Sequence, residues 1–149
     1  MKMRKQAGFT LIELITVVVI LGILAAFALP RFAGLETNAR TAAVNGLAGS
    51  IRSGAALAHA AYLAAGTNPS TVTMEGSSVA INASGYPDNT AAGIGAVLQS
   101  ATGYTGAAGT GAYEYTLDAA PTPADCKVRY AASTTAGTPP AVTVTTSGC

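Results

Sequence analysis

The hydrophobic pattern changes character along the chain. From Phe9 to Pro30 the sequence FTLIELITVVVILGILAAFALP runs for 22 residues in which Glu13 is the only ionisable side chain. A helix of about 20 mostly apolar residues crosses the hydrocarbon core of a bilayer, so this is a membrane segment by length. Beyond it, apolar or small residues at Phe32, Leu35, Ala39, Ala43, Leu47, Ile51, Ala55, Ala58 and Tyr62 step by three or four. That spacing keeps one helix face toward a core, and Gly66 with Asn68-Pro69 supplies the stop. One helix over 9–65 would be roughly 85 Å long. This exceeds what a membrane or a small domain needs, so its first half must find something else to pack on.

The remaining pattern has period two. TVTMEGSSVAIN, residues 71–82, predicts two short strands about Gly76, and Gly85-Tyr86-Pro87-Asp88 predicts a turn before a short helix using Ile94, Val97 and Leu98. Three further runs alternate, with Tyr113, Tyr115 and Leu117 on one face of the first, Val128 and Tyr130 on the second, and Val142 and Val144 on the third. Alternation broken by Gly, Pro and Thr reads as an antiparallel sheet, which the long helix can cover on its inner face. The fold class is α+β.

Within the helix, Gly22 and Pro30 are weak points, because proline removes a backbone donor and glycine costs up to about 1 kcal/mol against alanine. Gly34, Gly46, Gly49 and Gly54 also weaken it, and close approach of other backbones would explain them. Glu36 and Arg40 stand at i,i+4 on the polar side as a solvated pair.

Charge adds orientation. Lys2, Arg4 and Lys5 precede the apolar run and only Arg31 follows it closely, so the positive-inside bias leaves the N-terminus in the cytoplasm and sends the remainder outward. Cys126 and Cys149 then lie in an oxidising compartment, where they are expected to pair. A cleaved signal peptide ending near Ala26-Phe27-Ala28 is the rival reading; the acid Glu13 and the length of the run count against it. Net charge is +1 and the basic residues form no patch with interleaved aromatics, so nucleic acid is not the main partner.

Catalytic chemistry finds little support. The chain carries no phosphate-binding glycine loop and no nucleophile elbow, and His59 has no acid or thiol neighbour in sequence. Asp88, Glu114, Asp118 and Asp125 are too dispersed for a calcium loop. Asn82-Ala83-Ser84 is a minimal glycosylation sequon that chance explains. No enzyme, metal site or cofactor is expected.

The stretch GFTLIELITVVVILGILAAFALPRF resembles the N-terminus of type IV pilins: a short basic leader ending in glycine, then phenylalanine, then a glutamate at the fifth position. The resemblance implies that a prepilin peptidase cuts between Gly8 and Phe9 and methylates the new Phe9 amine. It also implies that subunits leave the inner membrane, driven by assembly machinery with an ATPase in trans, and stack into a helical homopolymer with their helices at its centre. Glu13 would then pair with the Phe9 amine of a neighbour, because an unpaired acid is costly in bilayer or filament core. It could equally meet its own Phe9 amine, and the residues do not choose. The ending CKVRYAASTTAGTPPAVTVTTSGC, the internal GYP and the small-residue helix are similar to the mannose-sensitive haemagglutinin (MSHA) group of type IVa major pilins. By that analogy the segment from Cys126 to Cys149 is surface-exposed, and two strands and the loop 133–141 are available to a host or surface receptor.

The expected organisation is a leader over 1–8, a membrane and filament-core half-helix over 9–30, an amphipathic half over 31–65 and a globular head over 66–149. Two classes of function follow: a pilus subunit, with a type II secretion pseudopilin as its near variant, or a binding module that is membrane-anchored or secreted. Processing separates them. A pilin loses Lys2, Arg4 and Lys5 and keeps five basic against seven acidic side chains, a net of −2.

Overall fold

The computed structural model describes residues 8–149 and, within them, the side chains of all but residues 29–33. The leader cations Lys2, Arg4 and Lys5 and the side chains of Pro30, Arg31 and Phe32 therefore lie outside the described residues. Elements follow in the order α1 (Leu11–Ala65), β1 (Thr71–Met74), β2 (Ser77–Ala80), α2 (Ile94–Val97), β3 (Tyr104–Gly109), β4 (Ala112–Leu117), a 3-10 turn (Pro123–Asp125), β5 (Lys127–Ala131) and β6 (Ala141–Thr145). This is the expected α+β arrangement, like that of a type IV pilin: a long N-terminal helix, apolar at its start, and antiparallel sheets. The chain divides into two compact units, one through Asn38 and one from Ala39 to Cys149.

The first unit is helical. Its window Leu11–Ala28 has a mean hydropathy of 2.7, and none of it is buried. The helix continues through Gly22, around which there is open space.

The second unit holds the core. Val44, Leu47, Ala48, Ile51 and Ala55 of α1 pack with Ile94, with Tyr113, Tyr115 and Leu117 of β4, and with Val128 and Tyr130 of β5. Their spacing is the three-and-four step of one helix face. The expected stripe is corrected at its start: Leu35, Ala39 and Ala43 are exposed, whereas Val44 and Ala48 are buried. Repeated steps of four drift around a helix of 3.6 residues per turn, so the inner face shifts to 44 and 48. A smaller cluster of Ala58, Val72, Val79 and Ile81 fixes the β1–β2 hairpin under the end of α1. That hairpin turns at Glu75 and Gly76, both with positive φ, the conformation that matches the twist of a two-residue hairpin.

The larger sheet is antiparallel in the order β3-β4-β5-β6. Tyr113, Tyr115, Val128 and Tyr130 face inward, as their alternation predicts. On the opposite face Glu114 holds Lys127 at 2.9 Å and Arg129 at 3.6 Å. Strand β3, YTGAAG, has no hydrophobic alternation and was not expected; its hairpin register with β4 defines it. The helix glycines meet no backbone. Gly34, Gly46 and Gly49 border open space, and a methyl group on Gly54 would overlap the Val97 side chain, so one glycine of the four serves close packing.

The disulfide Cys126–Cys149 closes the last part of the chain, with Cα atoms 4.9 Å apart and a sequence separation of 23. Cys126 is fully buried and Cys149 nearly so. Cross-linking a loop of this size constrains the unfolded chain by about 3 kcal/mol in the entropy model. Replacing both cysteines by serine is expected to lower the unfolding free energy of the second unit by about 3 kcal/mol, measured by urea denaturation.

Two core tyrosines make stability pH-dependent. Tyr130 donates to the Pro87 carbonyl at 2.7 Å; burial, then the Asp88 carboxylate, then Tyr86 hold its pKa above the ordinary tyrosine value. Burial, with Tyr113 beside it, pushes Tyr115 up to about 12. Both are acids whose folded pKa is raised, so their stabilisation is complete below the unfolded value near 10 and is lost as pH rises toward the folded one. Each tyrosine should remove about 1.4 kcal/mol per pH unit across that interval. Denaturation midpoints should therefore fall from about pH 10 toward pH 12, and Tyr115→Phe should flatten the decline.

Candidate functional site

The chemistry of the apolar helix is concentrated in its first turn. Leu11 is the first helical residue, which makes Thr10 the N-cap and Glu13 the third helical position. A helix start leaves four backbone N–H groups without an intrahelical acceptor. Here Thr10 and Glu13 satisfy two of them reciprocally. The Glu13 Oε2 accepts from the Thr10 backbone N–H at 2.9 Å and from the Thr10 hydroxyl at 2.7 Å, and the Glu13 N–H donates to the Thr10 Oγ1 at 3.3 Å. This is a capping box. Its signature, Thr-x-x-Glu before an apolar run, stands in the sequence at 10–13 but was not among the expected features.

The cap changes the question posed by Glu13. Its carboxylate is not idle within one chain, because it closes the helix end and lies where the N-terminal end of the helix dipole favours negative charge. One turn on, the Thr16 hydroxyl donates to the Ile12 carbonyl at 2.7 Å, so this threonine too is satisfied inside the segment, as a hydrocarbon surrounding requires. Phe9, Ile12, Glu13, Thr16 and Val17 line a shallow concavity of about 330 Å³. Phe9 stands just outside the helix and is 89% exposed. A cut before Phe9 would create an amine one residue from the capping box, on the side where Glu13 already gathers donors.

The second unit carries the other singled-out residues. His59 stacks on Tyr86 with ring centroids 4.0 Å apart and planes 4° from parallel. Its Nδ1 lies 2.8 Å from the Gly85 carbonyl, which makes that nitrogen the donor. Asn82 is committed on both sides: its Nδ2 donates to the Ser133 carbonyl at 2.9 Å, and its Oδ1 accepts from the Ser84 backbone and hydroxyl. The sequon is thus a structural clamp, with Ser84 only 2% exposed. It ties the β2–α2 connection to the loop between β5 and β6, where Gly137 also donates to the Ser84 carbonyl. Arg40 donates to the Cys149 carbonyl at 3.1 Å.

Of the expected site residues, Phe9 just before the helix and Glu13 in its first turn line the same concavity, and Gly8 immediately precedes Phe9. Gly22 lies farther along α1, and the two cysteines are joined in the second unit.

Known proteins match this part of the chain. A family model described as the prokaryotic N-terminal methylation motif matches residues 3–29. The type IV narrow pilus major component PilA5 of Thermus thermophilus is 53% identical over 54 residues, which is 36% of this chain and 47% of that protein. The type II secretion system core protein G of Vibrio cholerae is 60% identical over 38 residues, 26% of each chain. The matches thus span about half and about a quarter of the lengths of these curated relatives. No solved structure matches. The motif, these relatives and the α+β arrangement make this a type IV pilin-like protein.

Removing one member of the capping box should fray the first turn. Losing a helix cap costs about 1 kcal/mol, so Thr10→Ala in detergent micelles should speed amide exchange at Glu13 and Leu14, whose N–H groups donate to Thr10, roughly fivefold and leave the second unit unchanged.

Proposed function

We propose that this protein is the structural subunit of a type IV pilus, a major pilin of the MSHA-like group. In this reading a prepilin peptidase removes residues 1–8 and methylates Phe9, the subunit waits in the inner membrane with its N-terminus on the cytoplasmic side, and an ATPase-driven machine moves it into a surface filament. The observation that carries it is an acid held at the start of a wholly exposed apolar helix, directly after a glycine–phenylalanine junction. Every large side chain from Leu11 to Leu24 is exposed, and a filament core of like helices would remove that surface from lipid and water together.

Glu13 then has two successive tasks. Before assembly it caps its own helix through Thr10. During assembly one carboxylate can keep a capping bond and accept the charged amine of an incoming Phe9, because an ionised carboxylate has about four lone-pair sites. Charge pairing would set the register that apolar side chains alone leave undefined, since lipid gives little hydrophobic reason for helices to associate. Gly22 and Pro30 mark the stretch that would yield when the helices pack.

The head supports the subclass through the GYP turn, which carries Tyr86 against His59, and through the disulfide-bounded end. Between Cys126 and Cys149 lie β5, β6 and a connecting loop exposed from Thr134 to Pro139, the surface we assign to adhesion. A pseudopilin of type II secretion is the second reading, favoured by the likeness of the first helix to core protein G.

Intact mass of material sheared from cells tests the proposal. The expected chain starts at a methylated Phe9 with Cys126 and Cys149 oxidised; a chain starting after Ala28, or an uncut chain confined to membranes, would reject it. Glu13→Ala should leave cleavage largely intact and abolish surface filaments, and a normal filament yield would remove Glu13 from the assembly step.

A further inference from the structure

Strand β3 ends the larger sheet with an open edge. The hydrogen bonding of β4 fixes which of its groups point outward. Leu117 donates its N–H to Cys126 on the β5 side, so its partner Tyr104 does not bond to β4. Backbone groups alternate sides along an antiparallel strand. Thr105, Ala107 and Gly109 therefore bond to β4, whereas the N–H and C=O of Gly106 and Ala108 point off the edge. These groups have no hydrogen-bond partner among the described residues. Thr105 through Gly109 are all exposed.

Natural sheet edges are usually blunted by charge, proline or a bulge. β3 has none of these: YTGAAG contains no Lys, Arg, Asp, Glu or Pro, and it pairs with β4 without interruption. The opposite edge is guarded. Val142 turns its carbonyl outward on β6, where the Arg52 Nη2 donates to it at 3.0 Å, and Pro139 and Pro140 precede the strand.

We propose that β3 pairs antiparallel with β3 of a second copy of this chain, joining two heads into one continuous sheet. The outward groups permit a two-fold register centred on Ala107. Gly106 then exchanges both hydrogen bonds with Ala108 of the second copy, Ala107 faces its own counterpart, and Thr105 faces Gly109. No charged side chain is placed opposite another. Glu114, next to Ala107 across the hairpin, is already held by Lys127 and Arg129. Small residues leave the edge flat enough for close approach. The guarded β6 disfavours a head-to-tail chain of sheets, and an interface that uses one patch twice closes as a pair. Where the pilin reading also holds, such a pair links subunits of two filaments, because a two-fold contact does not propagate along a polar one.

Cysteine cross-linking of the full chain in detergent micelles tests this without any need for filaments. Facing residues that do not exchange hydrogen bonds lie about 4.5 Å apart, within disulfide reach. Ala107→Cys should oxidise to a dimer at least tenfold more than Thr143→Cys, an exposed position on the β6 edge. A mixture of Thr105→Cys and Gly109→Cys chains should cross-link where each alone does not. Adding Ala108→Pro to Ala107→Cys should abolish the dimer, since proline is tolerated where an edge N–H faces solvent; the intact Cys126–Cys149 bond reports folding. Cross-linking at Ala107 no greater than at Thr143, preferential linking of Ala107→Cys to Thr143→Cys, or no 105–109 product would each overturn the pairing. A dimer formed by a chain that cells never cut before Phe9 would defeat the pilin reading alone.

Discussion

The apolar surface of Leu11–Ala28 is the constraint on which the rest depends. None of that window is buried, and burying apolar area yields about 25 cal/mol per Å², so a segment of this size exposed to water is unfavourable by many kcal/mol. Two surroundings remove the penalty, a bilayer and a sheath of similar helices. They differ in what they ask of polar atoms. A bilayer requires each to be satisfied within the chain, and Thr10, Glu13 and Thr16 meet that demand with bonds inside two turns. A sheath of helices adds neighbours, and with them donors that one chain lacks.

This explains why a carboxylate sits so near the start of the segment and not at its middle. At the third helical position it accepts from the Thr10 N–H and hydroxyl and lies at the positive end of the dipole. The same position is four residues from Phe9. An acid placed a full turn later would lose both the cap and the amine. Geometry thus gives this residue a use within one chain, and under the proposed function the same side-chain location would serve assembly.

The sequence made the broad fold legible because the strong signals are periodic. The apolar run, the inward tyrosines and valines of β4, β5 and β6, and the hairpin about Gly76 all follow from spacing. What escaped had no such signal. β3 consists of small and neutral residues whose place is set by pairing with β4, not by a buried face. The inner stripe of α1 was misplaced before Leu47 because small residues are common on every face of this helix, so alanine at 39 and 43 resembled the core as well as Val44 and Ala48 did. The capping box was readable at Thr10 and Glu13, but attention to the membrane cost of an acid hid its local service. The glycines invited an account by backbone contact, and only Gly54 meets a neighbour, the side chain of Val97.

The head solves a different problem, stability with little apolar volume. Half of its helix face is alanine, and the core relies on aromatic rings from the sheet: Tyr113 meets Tyr115 edge-on at 5.2 Å, and Tyr130 spends its hydroxyl on the Pro87 carbonyl. Rings of this kind bury much area for few residues, but each brings a polar atom that must find a partner. Pro87, in the connection between β2 and α2, accepts from Tyr130, and Ile94 at the start of α2 accepts from Tyr115 at 3.4 Å; Asn82 and Ser84 tie the same connection to the loop before β6. The disulfide closes the remaining end. A thin core is therefore stabilised by cross-ties made in its connections, which leaves the β3 edge free of that duty.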